Sequence, residues 1–357
     1  MGGDESGSAS SHPLAALSVR TRAILIWGGV AVLLVVAFAA ALGALQRGVY
    51  SAGGFVSAYV TSLADRDVDA ALQMPGADPT TASLTDDGLP AKPSRELLRA
   101  DVLPTIRQVR VLSDDELVSG EHLVTLGARV DGHPVTVRFQ VRQTGAVLGI
   151  LPTWRFSATP LTVAHITVEH ADTFTVAGHT LDPRAVAAQP VNAFTVTADY
   201  LVFAPGVYDL GHESKYLSAP TSTLTAAAPG RLVNVAVVAE PTRALVAQIG
   251  EQLHSYLDAC AKQQVLQPAG CPFGVTIDDR VEGLPSWSIA KYPPVTLAAG
   301  DDGWTMPETA GAAHLSVTVQ SLFDGSIDRR SSDEPFTVSL SAISIRDDGA
   351  VDITVSG

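Results

Sequence analysis

Cys260 and Cys271 are the only two thiols in the chain, eleven positions apart. A redox-active pair is ordinarily spaced C-x-x-C, so this wider spacing points to a structural disulfide, with free or reactive thiols as the alternative. Ser288-Ile289-Ala290-Lys291 has the S-x-x-K spacing in which a lysine helps to activate a serine nucleophile. The supporting K-T-G and S-D-N motifs are missing, and Pro285 and Pro293-Pro294 bracket the stretch, so no catalytic helix is expected there. There is no G-x-S-x-G elbow either. His165, His170 and His179 cluster in sequence, but His165 and His170 fall on opposite faces of an undistorted strand. No spaced cysteine or carboxylate completes a zinc set. Asp324, Ser326 and Asp328 alternate like the start of a calcium loop, yet the closing glutamate is missing and Asp324-Gly325 reads as a hairpin turn. Trp154, Trp287 and Trp304 read as core residues, with the wall of a ligand pocket as the alternative. No metal or cofactor is implied, and no catalytic residue is assigned.

The stretch that places all of these is Ala23 to Leu45, an uncharged apolar run. At the helical rise it is about 35 Å long, enough to cross a hydrocarbon core of roughly 30 Å with some tilt. A cleaved signal peptide is the alternative, since Arg20 and Arg22 precede the run and Ala37-Phe38-Ala39 could be cut. The apolar part of such a peptide is much shorter, which favours a permanent anchor. Arg20 and Arg22 lie before the span and Arg47 follows it, so residues 1–22 form a cytoplasmic tail, Gly- and Ser-rich and expected to be disordered. The C-terminal region then lies outside the cell membrane, where an oxidising compartment suits the cysteine pair.

The chain has 357 residues and a net charge of −14. Tail and span hold two acids and two bases, so the whole excess belongs to the region after the anchor. That argues against nucleic acid and against anionic headgroups as partners, because both need basic patches. Lys92, Lys215, Lys262 and Lys291 are the only lysines among 23 basic residues, a bias of GC-rich coding that fits an actinobacterial source.

After the span, Phe55, Val56, Tyr59, Val60, Leu63, Val68, Ala71 and Leu72 predict one amphipathic helix, bent away from the anchor at Gly48 and Gly53-Gly54. A loop should run to Pro93, then Ser94 should cap a short helix. Leu123–Val130 and Val135–Val141 flank Asp131-Gly132, a hairpin signal, and a further strand ends at Trp154 and Phe156. This order, FVSAYVTSLADRDVDAALQM followed by a curved antiparallel sheet ending on a Trp, resembles the NTF2-like (cystatin-like) cone fold over residues 46–157. The resemblance is to small membrane-attached bacterial versions, a family that includes both enzymes and structural modules.

Residues 158–240 read as a β-sandwich-like module, with strands at Val163–Val168, Phe174–Leu181, Val191–Phe203 and Leu232–Ala239. Pro241 opens a helix whose apolar face is Leu245, Val246, Ile249, Leu253, Tyr256, Leu257 and Cys260. Strands at Leu315–Phe323, Phe336–Ile345 and Val351–Val355 follow, so 241–357 is a second NTF2-like candidate. The stretch YLDACAKQQVLQPAGCPFG resembles one in exported actinobacterial membrane proteins, which implies no activity.

The expected fold class is therefore α+β: one transmembrane helix, two α+β cone domains and a β-rich module between them. The expected role is a non-catalytic interaction or scaffold protein, held in the bilayer by one helix and meeting envelope or membrane proteins. A binder of a small ligand in a cone pocket and an enzyme of unrecognised type are the alternatives.

Overall fold

The computed structural model describes residues 19–187, 194–346 and 348–356. The chain is α+β and mostly strands, with one N-terminal apolar helix, α1 (Val19–Arg47). Its window Arg22–Ala41 has a mean hydropathy of 2.6 and none of it is buried. By length and composition this helix is long and apolar enough to cross a membrane. Most of the expected tail, residues 1–18, lies outside the described residues.

The chain turns at Gly48. Ser51 donates its hydroxyl to the Gly48 carbonyl at 2.7 Å and accepts from the Gly54 amide at 2.9 Å, which caps α2 (Ala52–Ala64). Gly53 and Gly54 therefore belong to the first turn of α2 and not to the bend. A Cβ on Gly54 would stand 2.3 Å from the Gly48 carbonyl oxygen, so the returning chain needs glycine there. The single helix expected through Leu72 is two, because Arg66 takes a φ of 61° and ends α2 before Asp67 caps α3 (Val68–Gln73). The expected loop holds α4 (Thr81–Asp86), which Thr80 and Ser83 cap reciprocally. Ser94 caps no helix. Its N–H donates to the Asp199 carbonyl and its own carbonyl accepts from Leu201, at 2.7 and 2.8 Å.

The first sheet is an antiparallel meander of β1 (Ile106–Glu116), β2 (Glu121–Val130), β3 (His133–Val147) and β4 (Leu151–Phe156). Asp131 and Gly132, with φ of 46° and 85°, make the β2–β3 turn as the sequence indicated. One face buries Val124, Leu126, Val137, Phe139, Val141 and Phe156 against Val56, Tyr59, Val60 and Leu63 of α2.

Two sheets follow. β5 (Leu161–Glu169) pairs with β8 (Thr195–Phe203) and, in parallel, with β11 (Leu232–Val238). The other sheet contains β6 (Phe174–Val176), β7 (His179–Leu181), β9 (Gly206–Glu213), β10 (Leu217–Ala226) and β12 (Glu240–Pro241). The strand expected at Phe174–Leu181 is a hairpin, turned at Ala177-Gly178 where both φ are positive. The expected start at Val191 lies outside the described residues. The buried side chains of these sheets and of the first sheet form one core, from Ala52 to Ala239.

A second core holds the rest. Thr242, not Pro241, caps α5 (Arg243–Ala261), because Pro241 is still paired in β12. Leu245, Ile249, Leu253, Leu257 and Cys260 are its buried face, as their spacing required. It packs, chiefly through the first and last strands, on a sheet of β13 (Arg280–Lys291), β14 (Ala298–Ala299), β15 (Trp304–Gln320), β16 (Ile327–Ile345) and β17 (Val351–Ser356). The order β13-β15-β16-β17 is again an antiparallel meander, so a helix on a four-stranded meander occurs twice.

Candidate functional site

Cys260 and Cys271 are bonded, with Cα atoms 5.8 Å apart. The loop they close is fixed from inside. Gln263 exchanges hydrogen bonds with both main-chain groups of Ala269, and Tyr256 donates to the Gly270 carbonyl. Trp287 lies against Phe273 and donates its indole N–H to the Val265 carbonyl at 2.8 Å, which docks this loop on β13. Trp154 and Trp304 are buried too, the latter against Phe194 and His170. None of the three tryptophans lines the cleft described below.

The three histidines do not converge. His165 pairs with Asp199 at 2.6 Å, His179 with Asp101 at 3.0 Å, and His170 hydrogen-bonds the Ala239 carbonyl at 3.2 Å. Among the described residues no group of His, Cys, Asp and Glu could hold a metal ion. Asp324 accepts from the Ser326 amide at 3.1 Å and hydroxyl at 2.8 Å. These bonds, with one from Ser321, hold its carboxyl below the usual range and make it a turn former. Ser288 and Lys291 lie on exposed β13, which holds no helix.

Strand register creates a constellation that spacing does not reveal. His314 stands opposite Asp333 and next to Ser331, two positions before Asp333 on the same strand face. Ser331 Oγ is 2.9 Å from His314 Nε2, and His314 Nδ1 is 2.6 Å from Asp333 Oδ1. These are the contacts by which an imidazole activates a serine and a carboxylate orients the imidazole. A hydrolase further needs oxyanion donors and a walled site for its substrate. Here the His314 and Asp333 side chains are 40% and 64% exposed on an open sheet face. Ser288, opposite His314 on β13, extends the same polar row.

A cleft of about 790 Å³ lies between the outer face of the first sheet and the β10–β11 loop. Asp87, Thr136, Arg138, Gln140 and Arg231 line it. Next to it on that face come Arg142 and Arg155, which are register partners. Among the described residues the side chains of Arg138, Arg142 and Arg231 have no carboxylate or hydrogen-bond partner, and the Arg155 Nε and Ser157 Oγ atoms are buried without one. Four arginines in a chain of net charge −14 make a local field suited to an anion.

The β15–β16 turn presents a surface of the opposite kind. Leu322, Phe323 and Ile327 are exposed, Phe323 at 99%. Asp279 accepts from the Leu322 amide and pairs with Arg330, and Asp324 closes the turn, so the tip is braced. No protein-family model, curated protein or solved structure matches the chain.

Proposed function

We propose that this is a non-catalytic interaction or scaffold protein of an actinobacterial cell envelope. In this reading α1 crosses the cell membrane with its N-terminal end in the cytoplasm, and the rest of the chain lies outside. The arginines around α1 and the bonded cysteines support that direction. The repeated helix-on-meander plan supports two NTF2-like units, at 46–157 and 241–357, flanking the β-rich 158–240.

The observation that carries the interaction reading is the braced tip with Phe323 in solvent. Apolar side chains held outward by a rigid turn mark a surface that another protein covers. The full chain, crosslinked in intact cells and purified, should bring down one near-stoichiometric envelope protein, and Phe323→Asp should lose it. A well-expressed chain that recovers no partner, or a partner kept by Phe323→Asp, overturns the reading.

A second reading, a small-ligand protein, is favoured by the arginine cleft, although that cleft lies on the outer sheet face and not inside a cone. Pyrophosphate that binds saturably to wild type, and not to Arg138→Ala, would carry it.

A further inference from the structure

The β3–β4 hairpin carries an uncharged run, QTGAVLGILPTW, from Gln143 to Trp154. Val147 and Leu148 are exposed at its tip, Leu148 at 88%. Leu148 and Gly149 take φ of 53° and 69°, the same left-handed pair as Asp131 and Gly132 at the other end of the sheet. A left-handed position favours Asn, Asp or Gly, and leucine there is unfavourable both for the backbone and for its exposed side chain. The chain uses ordinary turn chemistry at one end of β3 and an apolar residue at the other. Val118, in the β1–β2 turn, is fully exposed at that same apolar end.

The path of the backbone says what lies beside this end. Trp154 donates to the Tyr50 carbonyl at 2.8 Å, and Asp114 accepts from the Gly53 amide at 3.2 Å. The first turn of α2 is thus fixed to the hairpin end of the sheet. Only Gly48 and Val49 separate Tyr50 from the last residue of α1. Three residues span at most about 10 Å. The tip at Val147 is four residues beyond Gln143, the register partner of Trp154, and therefore projects roughly 13 Å past it. The projection of the tip past Trp154 is thus at least as long as the tether between Tyr50 and α1.

We propose that the Val147–Leu148 tip, with Val118 beside it, inserts into the membrane interface next to α1, so that the first sheet stands on the bilayer. The inference rests on α1 being a membrane span. Glu116 and Glu121 flank the β1–β2 turn, so apolar area and not charge drives the contact, and zwitterionic lipid suffices.

Because Cys260 and Cys271 are bonded to each other, one added cysteine can be labelled selectively. The full chain is placed in phosphatidylcholine vesicles with an environment-sensitive fluorophore at Leu148→Cys or, as a control, at His133→Cys beside the opposite turn. Spin-labelled lipids are the quenchers. The expected result is blue-shifted emission at position 148 and quenching several-fold stronger than at position 133. Equal quenching at both positions, in a chain that resists alkaline extraction, overturns the inference and leaves the span intact. Alkaline release of the chain overturns the span, and the inference with it. A position-148 label shielded by a crosslinked protein and not quenched by lipid also overturns it.

Discussion

Trp154 donates its indole N–H to the main-chain carbonyl of Tyr50, 2.8 Å away and 104 residues earlier. His122 stands edge-on to the Trp154 ring at 4.8 Å and meets the Asp114 carboxylate at 2.7 Å. The same carboxylate accepts from the Gly53 amide. Two strands thus grip the few residues that follow α1, and His122 of a third steadies both gripping side chains. Trp154→Phe keeps most of the ring and loses the bond. It is expected to cost about 1 kcal/mol in urea unfolding and to speed amide exchange at residues 51–54. Unchanged exchange there would refute the grip.

Buried tyrosines set the alkaline limit. Tyr208 accepts from the Phe203 amide and donates to the Phe203 carbonyl, both at 3.1 Å, whereas the Tyr59 hydroxyl is buried with no partner among the described residues. Burial pushes both phenols well above the ordinary tyrosine range, and the neighbouring Tyr208 adds to the rise at Tyr59. A raised folded pKa gives stability that is complete below the unfolded value of about 10 and is lost as pH rises through the folded one. Stability should therefore fall steeply above about pH 10, with the phenolate absorbance of Tyr59 and Tyr208 appearing only on unfolding. Tyr208→Phe should cost about 1–2 kcal/mol at neutral pH, while Tyr59→Phe is neutral or stabilising.

The Cys260–Cys271 bond closes a short loop, worth about 2–3 kcal/mol through the unfolded chain. The paired Cys→Ser variant should lose that much and shift Trp287 emission, because Trp287 is bonded to Val265 inside the loop. Calorimetry and fluorescence measure the two effects.

Ser331 has a histidine and an aspartate in order but no walled site. A fluorophosphonate probe is expected to leave the folded chain unlabelled, by intact mass. Labelling at Ser331 that disappears in His314→Ala would restore the enzyme alternative.

Where local chemistry decides structure, the sequence was readable. The uncharged run became α1, Asp131-Gly132 became a left-handed turn, and five residues at helical spacing became the buried face of α5. β1 escaped because register shifts break its alternation and leave Val111 and Leu112 exposed. β10 escaped because LSAPTSTLTA buries only Leu224 and Ala226. β13 escaped because its shift at Glu282–Ser286 hides the pattern of Pro285 and Trp287. The break at Arg66 and the bridge at Ser94 answer to tertiary partners, the carbonyls of Ala100 and Asp199. The same reason hid Ser331, His314 and Asp333. Two strands and one register bring them together, and no spacing along the chain encodes that meeting.

Phe323 is the residue on which the interaction account depends. A photo-crosslinking amino acid in its place, in the full chain expressed in intact cells, should form an adduct of discrete mass with one envelope protein. The same probe at exposed Ser341, on the same sheet, should not. A folded, membrane-bound chain that gives no protein adduct from position 323 would contradict the account.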